Sequence, residues 1–172
     1  MRLPEAETLF AEQIVNLIAE AWERRKDGGV SFAHEYAAIA FNRRPQFAVE
    51  DGLETVMYGD CSEESFVRFE GGADTSVELM YTWDKDRNVT GVICNVPCPS
   101  QVYELHCFLS ADYWGPARSL IREKLGRNVY VLPMCGAAGD LAPIDLVWYS
   151  KTNKRALQDW GGQTKEVFRN FD

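Results

Sequence analysis

Histidine is scarce in this sequence, and both a basic character and a long apolar run are missing. The 172 residues include two histidines, His34 and His106, and 18 lysines and arginines against 26 aspartates and glutamates, for a net charge of −8 at pH 7. Two histidines severely restrict a histidine-based triad or zinc cluster. The negative charge repels phosphate backbones, which predicts no nucleic-acid partner. Because no 18 consecutive residues are apolar, the sequence predicts no membrane-spanning segment.

Cysteine is also sparse for a chain of this size. Five cysteines are an odd number and too few for a disulfide scaffold, so we predict reduced thiols and a cytoplasmic location. The first residues lack the basic segment and apolar run of a targeting peptide. Hydrophobic residues make up 46% of the chain and charged residues 26%, which is typical of a folded protein. The length predicts one domain over residues 1–172.

Apolar residues at helical spacing occupy the first segment. They form one stripe of Phe10, Ile14, Ile18 and Trp22. A basic run and Gly28-Gly29 follow the stripe, so we predict a helix over residues 5–26. Such a stripe needs a surface to cover, and we expect this helix to pack on one face of a sheet.

Alternating, β-branched and aromatic residues then predict strands. We expect a strand over 30–41 and a hairpin of strands 76–83 and 90–96. Residues 46–72 are rich in Gly, Asp and Glu, so we interpret them as a long irregular loop (an excursion) that contains one short strand near 65–69. Excursions of this length are usually functional in compact domains.

The remaining segments complete a layered pattern. Gly115-Pro116 opens a helix that Gly126 closes, and residues 128–134 form an apolar run typical of a strand buried inside a sheet. The last residues, 164–171, look like the first turns of another helix. Together the segments predict the α/β class, with a layered domain in which helices flank a mixed central β-sheet.

Standard catalytic motifs are absent. His34-Glu35 begins like a zinc-protease helix, but Ala38 stands where the second histidine is required. The sequence contains no Gly-x-Ser-x-Gly elbow, no P-loop and no Gly-x-Gly-x-x-Gly. We therefore interpret His34 as a packed strand residue rather than a ligand.

Two segments have features of a site, although each also has a structural explanation. Cys98 lies between two prolines near Cys94, where a thiol either coordinates a soft metal or packs as a small apolar group. Residues 136–140 follow the predicted strand 128–134, and their small side chains allow a ligand to approach the backbone or simply form a tight turn.

The order of several motifs resembles the neutral/alkaline (non-lysosomal) ceramidase family and its bacterial relatives. The matching segments are Asn42-Arg43-Arg44, residues 74–81, residues 91–99, residues 110–115 and residues 139–143. The resemblance covers roughly residues 5–150 and corresponds to the middle of the family's catalytic domain. Members are zinc-dependent amidases that split the N-acyl bond of ceramide. The resemblance thus implies a small-molecule or lipid-like amide ligand, and zinc as a cofactor.

The resemblance also implies site residues. Arg43 matches the arginine of the family's Asn-Arg-Ser motif in the active-site pocket, where a guanidinium binds an amide oxygen or a carboxylate, and Asn42 matches the asparagine. Cys98 falls on a zinc-binding histidine, and a thiolate is itself able to bind zinc. We therefore expect Cys98 as the metal ligand and place Cys98, with Arg43, among the catalytic candidates.

Two further motifs complete the implied site. Ser110 and Asp112 belong to the Ser-x-Asp motif and are substrate-binding candidates, as is Gly139. Asp140, in the family's Gly-Asp-x-Ser-Pro stretch, is a catalytic candidate. Ala142 falls on the serine of that stretch and supplies no hydroxyl. The family's His-x-His motif and its Glu and Tyr ligands have no counterpart in these residues.

Three functions follow as hypotheses. The first is a ceramidase-like member that lacks catalysis in this chain and acts as a binding or interaction module. The second is a zinc-dependent amidase whose remaining ligands lie outside this chain. The third is a thiol-dependent hydrolase that uses Cys98 with His106 or His34 as base. We also expect a homo-oligomer or missing domain segments, because a truncated domain leaves apolar surface uncovered.

Overall fold

The computed structural model describes residues 3–104 and 108–152, which contain three helices and nine strands. In chain order these elements are α1 (Leu3–Glu23), β1 (Gly29–Tyr36), β2 (Phe41–Asn42), β3 (Pro45–Val49), β4 (Gly52–Thr55), β5 (Phe66–Phe69), β6 (Ser76–Trp83), β7 (Val89–Val96), α2 (Trp114–Leu125), β8 (Tyr130–Cys135), β9 (Leu141–Ala142) and α3 (Leu146–Thr152). The helix predicted at 164–171 lies outside the described residues. No described helix combines the length and apolar character needed to cross a bilayer.

A four-stranded mixed sheet forms the centre of the fold. Its strand order is β1-β6-β7-β8. The strand β6 pairs antiparallel with β1 and β7, whereas β8 runs parallel to β7. A parallel pair needs a crossover connection, and α2 lies in that connection and ends at Gly126 as predicted. The α/β class, the mixed sheet and the predicted hairpin are therefore confirmed.

The position of β8 differs from the expectation for residues 128–134. The sequence predicted a strand buried inside the sheet, which is wrong, because β8 is an edge strand and Tyr130, Leu132 and Met134 are exposed. Pro133 fits this position, since an edge strand has one side on which a missing N–H breaks no ladder bond. An apolar run alone does not say which place in the sheet a strand takes.

Residues 46–72 also differ from the expectation. They contain most of a three-stranded antiparallel sheet with the order β4-β3-β5, not an irregular excursion with one strand. The short strand expected near 65–69 is present as β5. The rings of Phe47 and Phe66 meet edge to face at 5.9 Å, and Phe66 packs against the buried residues Cys61, Leu146 and Tyr149. Strands of four or five residues that are separated by Gly, Asp and Glu are too short for the alternation of apolar and polar residues to be recognised in the sequence.

The two faces of the central sheet have different surroundings. On one face Cys94 and Val96 are buried against Trp114 of α2 and Leu141 of β9. The other face, which we call the open face, exposes apolar side chains from both edge strands. Those side chains are Val30, Phe32, Tyr36, Tyr130, Leu132 and Met134.

Helix α1 confirms the predicted segment but not its packing. Every side chain from Glu7 to Glu23 is exposed, including the apolar stripe with Trp22 at 66%. The expectation that this helix covers the sheet is therefore wrong for this structure. An amphipathic pattern shows that a stripe is suited to burial, but it does not identify the surface that buries it.

A second apolar cluster surrounds α3, which the sequence did not predict. Leu146 is fully buried with Cys61 and Tyr149. The carboxylate of Asp145 accepts N–H bonds from Val147 and Trp148 at 3.0 and 3.1 Å and caps the start of the helix. A helix of seven residues shows too few turns for a reliable period.

Truncation of Leu146 tests this cluster. We expect Leu146→Ala to lower the free energy of unfolding by about 2–5 kcal/mol, because it removes a fully buried side chain and leaves a cavity. Urea denaturation followed by circular dichroism measures the loss. Leu120→Ala is the matched control on an exposed position and should change stability by less than about 0.5 kcal/mol. Equal losses in the two variants would contradict the cluster.

Candidate functional site

A two-residue ladder brings distant motifs together. Strand β2 pairs antiparallel with β9, with Asn42 opposite Leu141 and Phe41 opposite Ala142. The ladder continues one residue further, because the backbone N–H of Arg43 donates to the carbonyl of Asp140 at 2.8 Å. The Asn-Arg-Arg segment and the Gly-Asp segment are therefore neighbours in the fold.

Asn42 is a buried polar residue whose side chain joins three segments. Its Nδ2 donates to Oδ2 of Asp140 at 2.9 Å and to the carbonyl of Gly72 at 3.4 Å. Its Oδ1 accepts the backbone N–H of Arg44 at 2.9 Å. A buried amide that makes these bonds fixes the position of the Asp140 carboxylate relative to β2.

The guanidinium of Arg43 is held from two sides. One Nη donates to the Tyr58 hydroxyl at 2.9 Å and the other to the carbonyl of Gly139 at 2.8 Å. The group also lies 5.4 Å from the centre of the Tyr58 ring, within cation–π distance. Its Nε is buried and has no hydrogen-bond acceptor among the described residues. No described carboxylate lies within salt-bridge distance of Arg43.

Tyr58 holds Arg43 from an unusual backbone conformation. Its φ is 60°, in the left-handed region that costs a residue with a side chain about 1–2 kcal/mol. The backbone N–H of Tyr58 donates to the carbonyl of Arg43 at 2.9 Å, in addition to the hydroxyl contact. Sequence reasoning missed Tyr58, because neither its φ nor its contacts with Arg43 leave a signal in the sequence.

Arg44 contrasts with its neighbour. Its guanidinium donates to both carboxylate oxygens of Glu70 at the surface. This contact raises the pKa of Arg44 and lowers that of Glu70. Exposed ion pairs of this kind contribute little to stability because water screens them. Of these two adjacent arginines, Arg44 thus has a carboxylate partner and Arg43 has none within the described part of the chain.

Cys98 lies in the buried cluster that also contains Leu141 of β9 and Trp114 of α2. It is 2% exposed, and its Sγ donates to the carbonyl of Ile39 at 3.3 Å. The hydroxyl of Tyr113 donates to the Cys98 carbonyl at 2.7 Å. Burial raises the pKa of the Cys98 thiol, which favours the neutral form at pH 7.

Ser110 and Asp112 form a loop that leads into α2. The backbone N–H of Asp112 donates to Oγ of Ser110 at 2.9 Å. The buried carboxylate of Asp112 accepts the backbone N–H groups of Tyr103 and Tyr113 at 2.9 and 2.8 Å. Asp112 adopts a φ of 51°, where aspartate is better tolerated than most residues. Both side chains thus have bonds that hold the loop.

The hydrogen bonds of the predicted site residues define two groups. Asn42, Arg43, Gly139 and Asp140 meet at the β2–β9 ladder. Cys98, Ser110 and Asp112 belong to a second group. Tyr113, which the sequence analysis did not single out, links that group because its hydroxyl contacts Cys98 and its backbone N–H contacts Asp112.

The donor atoms in the described ranges do not fit a zinc site. Among residues 3–104 and 108–152, no three Cys, His, Asp or Glu side chains converge. Burial raises the pKa of the Cys98 thiol, which disfavours the thiolate, and the thiol is already bonded to a backbone carbonyl. His34 lies on β1 opposite Glu78 and packs against the Tyr36 ring at 4.7 Å. His106 lies outside the described residues.

Comparison with solved structures shows where this fold occurs. One similar structure is a ceramidase complexed with C2, which is 17% identical to this chain with a TM-score of 0.51. The match covers 72% of this chain and 18% of the ceramidase chain. Another is the neutral ceramidase from Pseudomonas aeruginosa, which is 16% identical with a TM-score of 0.53. That match covers 91% of this chain and 24% of the ceramidase chain. No protein-family model and no curated protein matches the sequence.

These similarities establish the fold. Both solved structures are ceramidases, so the resemblance that the motif order suggested is confirmed at the level of the fold. The chain spans about a quarter of the length of these ceramidases or less. A shared fold does not carry the activity with it, and the function has to be argued from the site.

Proposed function

We propose that this chain is a ceramidase-like binding module that holds a lipid-like amide, or the corresponding carboxylate, at Arg43 and does not hydrolyse it. The observation that carries the proposal is the Arg43 guanidinium, which Tyr58 and Gly139 fix in place without a carboxylate partner in the described ranges. A positioned cation without a protein counter-ion is suited to bind an anion or a strong oxygen acceptor.

The remaining hydrogen-bond donors of Arg43 support this role. A guanidinium has five N–H groups, and two of those in Arg43 have acceptors in the described part of the chain. The bond to Gly139 lies at an exposed loop, so the outer edge of the guanidinium is accessible. An amide oxygen accepts one of its remaining bonds, and a carboxylate accepts two in parallel.

The same region lacks the groups that hydrolysis requires. Ala142 has no hydroxyl and is buried. The Asp140 carboxylate accepts a bond from Asn42. Attack on an amide needs a nucleophile that is ready at neutral pH, and the described side chains at the ladder supply none. Binding therefore persists without turnover in our proposal.

The two alternative functions depend on other residues. A zinc-dependent amidase needs ligands from outside this chain, as the fraction of the ceramidases that it spans allows. A thiol-dependent hydrolase needs Cys98 as a thiolate, whereas burial and the raised pKa favour a packed thiol. The free cysteines in the described ranges agree with the reduced, cytoplasmic setting that we include in the proposal.

Replacement of Arg43 tests the proposal. We expect Arg43→Gln to weaken binding of a short-chain N-acylsphingosine or its fatty acid by about 10- to 150-fold, since a hydrogen bond to a charged group contributes about 1.5–3 kcal/mol. Isothermal titration calorimetry measures the affinity. The same samples, analysed by mass spectrometry after incubation, should contain intact amide.

Arg44→Gln is the matched control, because it removes the neighbouring guanidinium from a surface ion pair. We expect its affinity to stay within about threefold of the unmodified chain. Equal weakening by both substitutions would indicate nonspecific charge attraction and contradict the proposal. Failure of the unmodified chain to bind either the amide or the fatty acid would also contradict it.

A further inference from the structure

The open face of the central sheet carries an apolar row, flanked on one side by the more polar row of His34, Glu78, Asn95 and Met134. The strand register places Phe32, Met80, Ile93 and Leu132 in one row across all four strands. Residues directly opposite each other in paired strands point to the same face, so these side chains are neighbours. Phe32 is 76% exposed at one edge and Leu132 is exposed at the other.

The apolar stripe of α1 is the second uncovered surface. The exposed stripe residues are Phe10, Ile14, Leu17, Ile18 and Trp22. At 100° per residue they occupy one side of the helix, while Glu12, Asn16 and Glu23 occupy the other. This side therefore matches the open face in polarity.

The dimensions of the two surfaces also match. A helix of 21 residues is about 31 Å long. The eight-residue strands of the sheet are about 26 Å long, and four strands side by side are about 14 Å wide, close to the diameter of one helix. Together the two surfaces expose on the order of 1,000 Å² of apolar side chain, so each is comparable to the roughly 300–600 Å² of the largest patch on a typical monomer, which is often functional.

The linker between α1 and β1 favours a partner over the helix's own sheet. Asp27 pairs with Lys85 at 2.9 Å. Gly28 lies so close to Trp83 that a Cβ at this position would be 2.1 Å from the Trp83 carbonyl oxygen. The close approach of Gly28 to Trp83, rather than the exposed ion pair, places the end of the linker against β6. Only three residues, 24–26, are then left for the chain to turn from α1 back toward the sheet. Short constrained hinges favour exchange of an element between copies.

We propose that two copies of this chain form a symmetric dimer in which the α1 stripe of each copy covers the open face of the other. One such contact buries on the order of 1,000 Å², so the reciprocal pair reaches about 2,000 Å², the size of a stable interface. The contact is the same in both directions, as a two-fold axis requires. This assembly does not depend on the ligand proposed for Arg43.

Sedimentation velocity of the full chain from 2 to 200 μM tests the dimer. We expect the unmodified chain to sediment as a dimer and the variants Ile18→Glu and Phe32→Glu to sediment as monomers, with dimer affinity reduced at least 30-fold. Asn16→Glu adds the same charge on the opposite side of α1 and should leave the dimer intact. Circular dichroism confirms that each variant is folded.

Mixing the two monomeric variants separates exchange between copies from docking within one copy. The helix of the Phe32→Glu chain and the sheet of the Ile18→Glu chain are both intact, so an equimolar mixture should regain one contact and sediment as a heterodimer. A monomeric unmodified chain at every concentration would overturn the proposal, even if hydrogen exchange showed α1 protected on its own sheet. A folded pair that fails to form the heterodimer, or dissociation by Asn16→Glu, would overturn it as well.

Discussion

The unmodified chain, assayed with added zinc, should release no fatty acid from ceramide or from simple N-acyl substrates. Hydrolysis of an amide at neutral pH normally uses a zinc-bound water, whose pKa falls from about 15.7 to near 7. The described residues bring no three zinc-binding side chains together. Arg43 alone stabilises charge, and such a donor contributes about 100- to 1000-fold without supplying a nucleophile.

Two substitutions make this expected result specific. Ala142→Ser restores a hydroxyl at a buried position, and the double variant with Cys98→His also restores an imidazole in the core. We expect Ala142→Ser alone to remain inactive, because a hydroxyl without a general base or metal is a weak nucleophile. Release of fatty acid is measured by mass spectrometry. We expect the double variant to remain inactive as well, because one added imidazole does not assemble a zinc site from the described side chains.

Two results would contradict this prediction in different ways. Turnover by the unmodified chain that a chelator abolishes would show that this chain is a metal-dependent hydrolase. Turnover without metal dependence that is lost in Cys98→Ala would show that the buried thiol is the nucleophile. Both results would replace the binding-module proposal, whereas the dimer proposal would be unaffected.

The second large effect is expected at Asn42. We expect Asn42→Asp to lower the free energy of unfolding by about 2–4 kcal/mol at pH 7, because it replaces a hydrogen bond to a carboxylate by repulsion between two carboxylates. The bond that is lost joins Nδ2 of Asn42 to the Asp140 carboxylate at 2.9 Å in a buried position. The acceptor for the Arg44 N–H is retained.

The pH dependence of the stability of the Asn42→Asp variant shows whether repulsion between carboxylates causes its destabilisation. Protonation of one carboxyl in the variant removes the repulsion, so the folded variant binds a proton more readily than its unfolded chain does. Its destabilisation should therefore be largest at pH 7 and shrink as the pH falls toward about 4. Urea denaturation at several pH values measures this trend. A destabilisation that does not change with pH would show that repulsion is not the cause.

Asn88 offers a matched control, because it makes the same amide-to-carboxylate hydrogen bond at a solvent-exposed position. Its Nδ2 donates to the carboxylate of Asp84, also at 2.9 Å, but in an exposed turn. This bond helps to lower the pKa of Asp84. We expect Asn88→Asp to cost less than about 1 kcal/mol, because solvent screens exposed charges. An equal cost at both positions would contradict the importance of burial at Asn42.

Local patterns explain the part of the fold that the sequence predicted. The hairpin of β6 and β7 follows from alternating residues on both sides of a polar turn, and α2 ends at Gly126, whose φ is 122°. Both features depend on residues close together in the chain. The same local reasoning assigned α1 and β5, and it left the partners of α1 and β8 undetermined.

The candidate site depended on pairings that no local pattern shows. Strands β2 and β9 have two residues each, and Asn42 meets Asp140 across almost a hundred residues of chain. Only the order of motifs, read as a resemblance, indicated that these segments belong together. The contact between Arg43 and Tyr58 had no indication of either kind, since it depends on a left-handed backbone residue.

The pairing of β1 with β6 has a consequence for the order in which the chain folds. Tyr36 pairs with Ser76, so this ladder closes a loop over residues 37–75 that contains the whole small sheet. The β6–β7 turn is much shorter and closes at a smaller entropic cost. We therefore expect the hairpin to form first and β1 to add later in folding. Until β1 arrives, β6 is a bare edge that is open to strands of other molecules.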